Sequence, residues 1–188
     1  MLTITELANT PVCIEDDAFD EETFFELQVY MNTLDPTKGL EFVKEGHRFY
    51  KPLYDFARKE IYNHRVILRD RVTNKLSNLS DDLKDCDFQI FLRCLDTPIE
   101  GKIHTDTDWK MLTTMLYVSD VGDGTMFFDS EYGTNIEEVE WKPNRLVSLI
   151  PSDTSWHSFK NSGQIARNTV QYILYNKEYT KVVRDDNE

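Results

Sequence analysis

The pattern of hydrophobic and polar positions predicts helices in the first part of the chain. In two stretches apolar side chains recur three or four positions apart, which is helical spacing. The first helix is expected to begin near Asp20, whose carboxylate can cap free N–H groups, and to end at Asp35-Pro36. The second is expected from Pro52 to about Leu79. Residues 1–19 are expected to form a short extended segment at the start of the chain. Residues 37–51 are expected to be either a plain connection between helices or a flap over a site.

The pattern changes near residue 81 to short apolar runs separated by turn residues. Gly122-Asp123-Gly124 is a strong turn signal of this kind. The runs predict strands over the following ranges: 88–95, 111–118, 125–128, 139–141, 145–150, 156–159 and 168–175. Short strands at close spacing with turns between them favour a sandwich or a barrel.

Length and composition are consistent with one domain. The chain has 188 residues, of which 40% are hydrophobic, so a sizeable core can form. We expect a single domain over residues 1–188, with residues 1–80 as mostly helical support and residues 81–180 as the β-rich core. The net charge of −13 argues against a nucleic-acid partner and against an anionic membrane surface, since both require clustered basic residues.

The three cysteines, Cys13, Cys86 and Cys94, are too few for a disulfide framework and are interpreted as reduced thiols. The first residues have neither a basic segment nor a long apolar segment, and no run approaches the ~18 apolar residues of a membrane span. These features favour a cytoplasmic location.

The candidate chemistry centres on the stretch Ile103–Asp106. His104 and Asp106 are two residues apart, so in an extended segment their side chains lie on one face. Imidazole and carboxylate groups bind metal ions. Two imidazoles and one carboxylate on one face of an octahedral metal ion leave three of its coordination positions open. Among the remaining histidines we choose His157, in a late strand, as the third ligand.

A second candidate group follows ten residues after His157. Arg167 opens an apolar strand, where its guanidinium is suited to bind a carboxylate through two hydrogen bonds, and Thr169 lies two positions further on. Each residue has a simpler interpretation. His104 and Asp106 would be an ordinary strand-end pair, His157 a hydrogen-bonded core histidine, and Arg167 a structural ion-pair partner.

Taken in order, these motifs resemble the iron(II)/2-oxoglutarate-dependent oxygenases, and among them the prolyl-hydroxylase-like branch. The resemblance covers residues 88–175. It rests on these segments: His104-Thr105-Asp106, Leu116-Tyr117-Val118-Ser119, Gly122-Asp123-Gly124-Thr125, Trp156-His157 and Arg167-Asn168-Thr169.

The resemblance implies an α+β, mainly β fold: a double-stranded β-helix, or jelly roll, with an N-terminal helical layer packed on the sheet. It implies Fe(II) held by His104, Asp106 and His157. It also implies 2-oxoglutarate whose far carboxylate pairs with Arg167, assisted by Thr169 and Tyr117. Ascorbate is an optional further cofactor.

The implied activity is hydroxylation of an unactivated C–H bond with 2-oxoglutarate and dioxygen, giving succinate and CO2. A prolyl residue in a peptide or protein is the leading substrate. Cys94 and Ile173, however, stand where prolyl-modifying members often carry a tyrosine and a tryptophan. The alternatives are the same chemistry on a free amino acid or small metabolite, and a non-catalytic jelly-roll binding module.

Overall fold

The computed structural model describes residues 1–72, 79–80, 82–163 and 166–179. In this part of the chain the strands are as follows: β1 (Leu2–Leu7), β2 (Thr10–Glu15), β3 (Leu40–Phe42), β4 (Cys86–Leu95), β5 (Ile99–Glu100), β6 (Lys110–Tyr117), β7 (Thr125–Phe128), β8 (Ile136–Val139), β9 (Leu146–Leu149), β10 (Trp156–Asn161) and β11 (Arg167–Asn176). The helices are α1 (Glu21–Met31), α2 (Tyr50–Phe56) and α3 (Tyr62–Leu68), with a π-helical turn between the last two at Ala57–Ile61. Short 3₁₀ turns cover Pro36–Lys38 and Arg69–Arg71.

The strands form two antiparallel sheets. The major sheet has the order β1-β2-β9-β6-β11-β4-β3, and the minor sheet has the order β5-β10-β7-β8. Tyr117 and Val147 of the major sheet share one apolar cluster with Phe127 and Val139 of the minor sheet, so the two sheets face each other there. The predicted α+β, mainly β class is confirmed.

The major sheet separates a helix-covered core from an internal cavity because side chains alternate along each strand. On β11, Val170, Tyr172 and Leu174 are buried in the cluster that contains the helical residues Leu27 and Leu53. The intervening positions of β11 therefore face the other way, toward the minor sheet.

The predicted start and cap of the first helix are confirmed in α1, but the helix ends at Met31, four residues before the predicted end at Asp35-Pro36. The Thr23 N–H donates to Asp20 Oδ1 at 2.9 Å, and Glu21 and Glu22 place negative charge at the positive end of the helix. Phe24 and Leu27 are buried on its inner face.

The N-terminal region is more β-rich than predicted. Residues 1–19 were expected as an extended entry, but β1 and β2 form a hairpin that joins the major sheet at β9. Residues 37–51 were expected to be irregular, yet β3 pairs there with β4. The region of residues 1–80 therefore supplies three strands of the major sheet as well as its helices.

The prediction of one continuous second helix is wrong. The π-helical turn interrupts it at Ala57–Ile61, and regular helix ends at Leu68. Leu76, part of the predicted apolar stripe, lies outside the described residues, as does the chain end after Tyr179. The strand predicted at 139–141 is found at Ile136–Val139.

The three cysteines are free and buried, which agrees with the prediction of reduced thiols. Among the helices in the described ranges, each is too short or too polar to cross a membrane.

Candidate functional site

The structure brings His104, Asp106 and His157 together. One ligand atom from each lies within 4.8 Å of the others. A reciprocal backbone bridge positions the two histidines: the His104 N–H donates to the His157 carbonyl at 3.1 Å, and the His157 N–H donates to the His104 carbonyl at 2.9 Å. The bridge joins residues 53 positions apart, so the site is assembled by the fold.

Both imidazole rings are oriented by their Nδ1 atoms. His104 Nδ1 lies 2.9 Å from the Lys102 carbonyl oxygen, and His157 Nδ1 lies 2.9 Å from the Ser155 carbonyl oxygen. A carbonyl oxygen only accepts hydrogen bonds, so each Nδ1 carries the proton and donates it. In the neutral ring the Nε2 lone pair is then free to bind a metal ion.

Asp106 is held as a carboxylate by two neighbours. Lys110 Nζ donates to Oδ1 in an ion pair, and Thr113 Oγ1 donates to Oδ2 at 2.5 Å. Burial by itself would raise the pKa of Asp106, but Lys110, His157 and Thr113 together lower it. The Asp106 side chain is 4% exposed, and its Oδ2 lies 3.9 Å from His157 Nε2.

His157 is buried, and its burial lowers the pKa of the imidazole below the usual range. The neutral ring is the form that ligates metals. The other two histidines lie elsewhere. His64 is fully buried between Ser148 Oγ, at 2.8 Å, and Glu15 Oε2, at 3.1 Å. His47 lies against Tyr30 and Glu41.

The three residues lie on the wall of a cavity of about 460 Å³ between the two sheets. Rows of side chains from neighbouring strands form its floor. One row is Phe91, Gln171 and Met115, and the next is Gln89, Ile173 and Thr113. The minor sheet contributes Thr125, Ser158 and Phe159 to the opposite wall.

Arg167 lies in the same cavity and is fully buried. Its Nε donates to the Asp123 carbonyl oxygen at 3.1 Å, and burial lowers the pKa of the guanidinium to about 10, so it stays charged at neutral pH. Among the described residues, no carboxylate oxygen lies within 4.0 Å of its guanidinium. The turn that supplies the Asp123 carbonyl needs Gly124, because a Cβ there would lie 1.8 Å from the Val139 carbonyl oxygen.

Tyr117 and Thr169 lie on the cavity-facing sides of β6 and β11, next to residues that line the cavity. Both are fully buried, and they are directly opposite each other on β6 and β11. The Tyr117 hydroxyl donates to Thr125 Oγ1 at 2.8 Å, and Thr125 lines the cavity. Thr169 Oγ1 is buried without a hydrogen-bond partner, on the same strand face as Arg167. An unpaired buried hydroxyl is unfavourable, so this atom is available to a ligand.

Sequence reasoning missed several cavity residues. Lys110 and Thr113 begin β6, and Arg93 lies on β4 beside Thr169. Counting placed Cys94 where prolyl-modifying members often carry a tyrosine; in the structure Cys94 is a core residue, 5% exposed on the opposite strand face, and Arg93 is the residue that faces the cavity. Phe88, Ile90, Leu92 and Cys94 share one face of β4, but the apolar Phe91 on the other face obscures this alternation in the sequence.

Trp109, three residues after Asp106, also lines the cavity. Asp108 is exposed outside the cavity wall, and Tyr132 is 81% exposed. Leu40 of β3 also lines the cavity, so one residue of the 37–51 segment borders the site.

Comparisons with known proteins place the fold. No protein-family profile and no curated protein sequence matches the chain. Solved structures do match. A prolyl-4-hydroxylase from Pseudomonas putida aligns with a TM-score of 0.64 at 14% identity, covering 90% of this chain and 95% of that one. An oxidoreductase of the 2OG-Fe(II) oxygenase family from Burkholderia pseudomallei aligns with a TM-score of 0.60 at 8% identity, over 87% and 84%.

A third match is a prolyl hydroxylase from Trichoplax adhaerens, solved with a peptide fragment of the hypoxia inducible factor oxygen degradation domain. It aligns with a TM-score of 0.61 at 12% identity, covering 91% of this chain and 86% of that one. The chain therefore has the fold of the iron(II)/2-oxoglutarate oxygenases, and the predicted jelly roll and resemblance are confirmed at the level of the fold.

Proposed function

We propose that this protein is an Fe(II)- and 2-oxoglutarate-dependent dioxygenase that hydroxylates an unactivated C–H bond, giving succinate and CO2. The observation that carries this proposal is the convergence of His104, Asp106 and His157 on the wall of one cavity with the buried Arg167. Because fold alone does not define function, the argument rests on these side chains.

The donor set suits ferrous iron. Two imidazoles with free Nε2 atoms and one ionised carboxylate form the facial ligand set of non-haem iron oxygenases, which leaves positions for a co-substrate and dioxygen. When bound, iron with 2-oxoglutarate supplies the oxidising power for C–H hydroxylation. The carbonyls that accept from each Nδ1 fix the imidazole orientation, and Thr113 and Lys110 hold the Asp106 carboxylate.

The second half of the cavity suits the far carboxylate of 2-oxoglutarate. Arg167 offers a buried guanidinium with no carboxylate partner among the described residues, and Thr169 Oγ1 offers an unpaired hydroxyl. A carboxylate bound there would satisfy both groups. We assign Tyr117 an indirect part, because its hydroxyl orients Thr125 on the cavity wall.

A prolyl residue in a peptide or protein is the proposed substrate. Support comes from the structural matches, because two of the matched proteins are prolyl hydroxylases. A free amino acid or small metabolite is the second candidate, favoured by the cavity between the sheets and by the lack of a tyrosine at position 93 or 94. A non-catalytic binding module would need a closed metal coordination shell, whereas three ligands leave open positions.

The test is a turnover screen under oxygen with candidate peptides and small molecules, with and without ascorbate. Succinate release coupled to the mass gain of one oxygen atom is the expected result. Without oxygen, Fe(II) and 2-oxoglutarate are expected to give the visible absorption band of a ferrous chelate. His104→Ala removes both signals and the control His47→Ala keeps both. Persistence of both in His104→Ala would falsify the proposed function.

Thr113→Val is expected to weaken Fe(II) binding about 10- to 100-fold, because the Asp106 carboxylate loses an orienting hydrogen bond. The measurement is a titration of the protein with Fe(II), monitored by calorimetry. Thr114→Val is the matched control: Thr114 Oγ1 contacts Ser148 Oγ at 2.8 Å on the opposite strand face. That variant is expected to lower stability by about 1–3 kcal/mol and to leave metal affinity unchanged. Equal metal affinities in the two variants would contradict the role of Thr113.

A further inference from the structure

Arg93 is a cavity residue that the proposed chemistry does not use. It is half-buried on β4 and lines the cavity. Among the described residues, no carboxylate oxygen lies within 4.0 Å of its guanidinium, and no hydrogen-bond acceptor contacts it. Its guanidinium packs over the Phe159 ring, with 5.8 Å between the guanidinium carbon and the ring centroid. A guanidinium partly withdrawn from water without an anion is unfavourable, so the position is suited to a charged ligand.

The cavity as a whole carries an excess of positive charge. Its described wall includes three cationic side chains, Arg93, Lys110 and Arg167, and one carboxylate, Asp106. This contrasts with the net charge of −13 for the whole protein. Lys110 is already paired with Asp106, which leaves the two arginines without a counter-ion among the described residues.

The two arginines are distinct in position. Arg167 is fully buried and anchored to the Asp123 carbonyl, with its guanidinium carbon 5.0 Å from the Phe159 ring centroid. Arg93 contacts the same ring, is more exposed, and is flanked by Leu40 of the edge strand β3. Arg167 therefore occupies the deep end of the cavity and Arg93 its more accessible side.

We propose that Arg93 is a second anion-binding site in this cavity and that it selects a primary substrate carrying a carboxylate. This inference rests on the proposed function, in which Arg167 binds the co-substrate. Leu40, Phe91 and Phe159 surround Arg93 on the cavity wall, so the matching ligand is an acid with an apolar body. The carboxylate can come from a small organic acid or from an acidic residue beside the modified position of a peptide.

The experiment measures binding by calorimetry to the Zn(II)-loaded full chain with saturating 2-oxoglutarate, so that no turnover occurs. Two matched probe pairs distinguish the two sources: benzoate against benzamide, and acetyl-Pro-Glu-amide against acetyl-Pro-Gln-amide. We expect at least one acid to bind about ten-fold or more tightly than its amide. Arg93→Met is expected to abolish that preference, and Arg93→Lys to retain part of it.

Controls separate this proposal from the proposed function. In Arg93→Met the affinity for 2-oxoglutarate is expected to fall much less than the affinity for the acid, because Arg167 keeps its place beside the Asp123 carbonyl. Arg48→Met removes the same charge from an exposed residue stacked on Tyr30 and Phe49, and is expected to keep the preference for the acid. If the wild type binds both acids no better than their amides, or if Arg93→Met weakens 2-oxoglutarate binding as much as acid binding, the proposal is wrong.

Failure of the proposed function has a different signature. In that case the metal-loaded protein does not bind 2-oxoglutarate, while an Arg93-dependent preference for an acid, measured without 2-oxoglutarate, still supports the anion site.

Discussion

Replacing Asp106 by alanine is expected to lower Fe(II) affinity and 2-oxoglutarate turnover by more than about 100-fold. The loss of a ligand is larger than the 10- to 100-fold effect that follows the loss of a residue orienting a ligand. The substitution removes the one negative charge among the three proposed ligands. The measurements are a calorimetric Fe(II) titration and succinate release under oxygen.

The structure also predicts a side effect of this substitution and a way to remove it. Without Asp106 the Lys110 ammonium, on a side chain only 14% exposed, loses its ion-pair partner. An unpaired buried charge costs roughly 3–5 kcal/mol of stability, so Asp106→Ala alone is expected to be destabilised. The double variant Asp106→Ala/Lys110→Met is expected to recover stability while still failing to bind iron. Turnover near the wild-type level in this folded double variant would show that Asp106 is not a ligand.

His104, Asp106 and His157 could be selected from the sequence as candidate metal ligands because each carries a local signal. His104 and Asp106 share a face through their spacing, and His157 lies in a late apolar strand. The contact that brings them together could not be predicted, since the backbone bridge between His104 and His157 depends on the pairing of distant segments.

Arg93 was missed for a different physical reason. The cavity face of β4 carries the apolar Phe91 and Leu95 as well as Gln89 and Arg93, so polar and apolar residues do not alternate cleanly. Without that alternation the inward and outward faces of the strand are not distinguished, and a one-residue error in register exchanges them. Counting from the His104 motif therefore selected Cys94, on the opposite face.

The N-terminal hairpin was missed because its turn lacks the usual residues. A two-residue loop, Ala8-Asn9, joins β1 to β2 with both residues at positive φ, 44° and 67°. Such turns favour Asn-Gly or Asp-Gly, and alanine at positive φ is uncommon, so the sequence gives little indication of the turn. The interruption of the second helix at Ala57–Ile61 is likewise unmarked by proline or glycine.

Arg167→Ala is expected to raise the 2-oxoglutarate concentration needed for half-maximal turnover by about 30- to 4000-fold. Removing one partner of a buried, hydrogen-bonded charge pair costs about 2–5 kcal/mol, and each 1.4 kcal/mol is a factor of ten. Fe(II) affinity in the absence of 2-oxoglutarate is expected to change little, because the three proposed ligands keep their own supporting contacts.

Two further measurements test whether this effect comes from the lost guanidinium. Added guanidinium ion at low concentration is expected to restore part of the 2-oxoglutarate affinity of Arg167→Ala, since it can occupy the vacated site beside the Asp123 carbonyl. Arg93→Met, which removes a cation from the same cavity, is expected to lower 2-oxoglutarate affinity far less than Arg167→Ala does. A loss of iron affinity in Arg167→Ala as large as its loss of 2-oxoglutarate affinity would mean that Arg167 supports the fold of the site and does not bind the co-substrate.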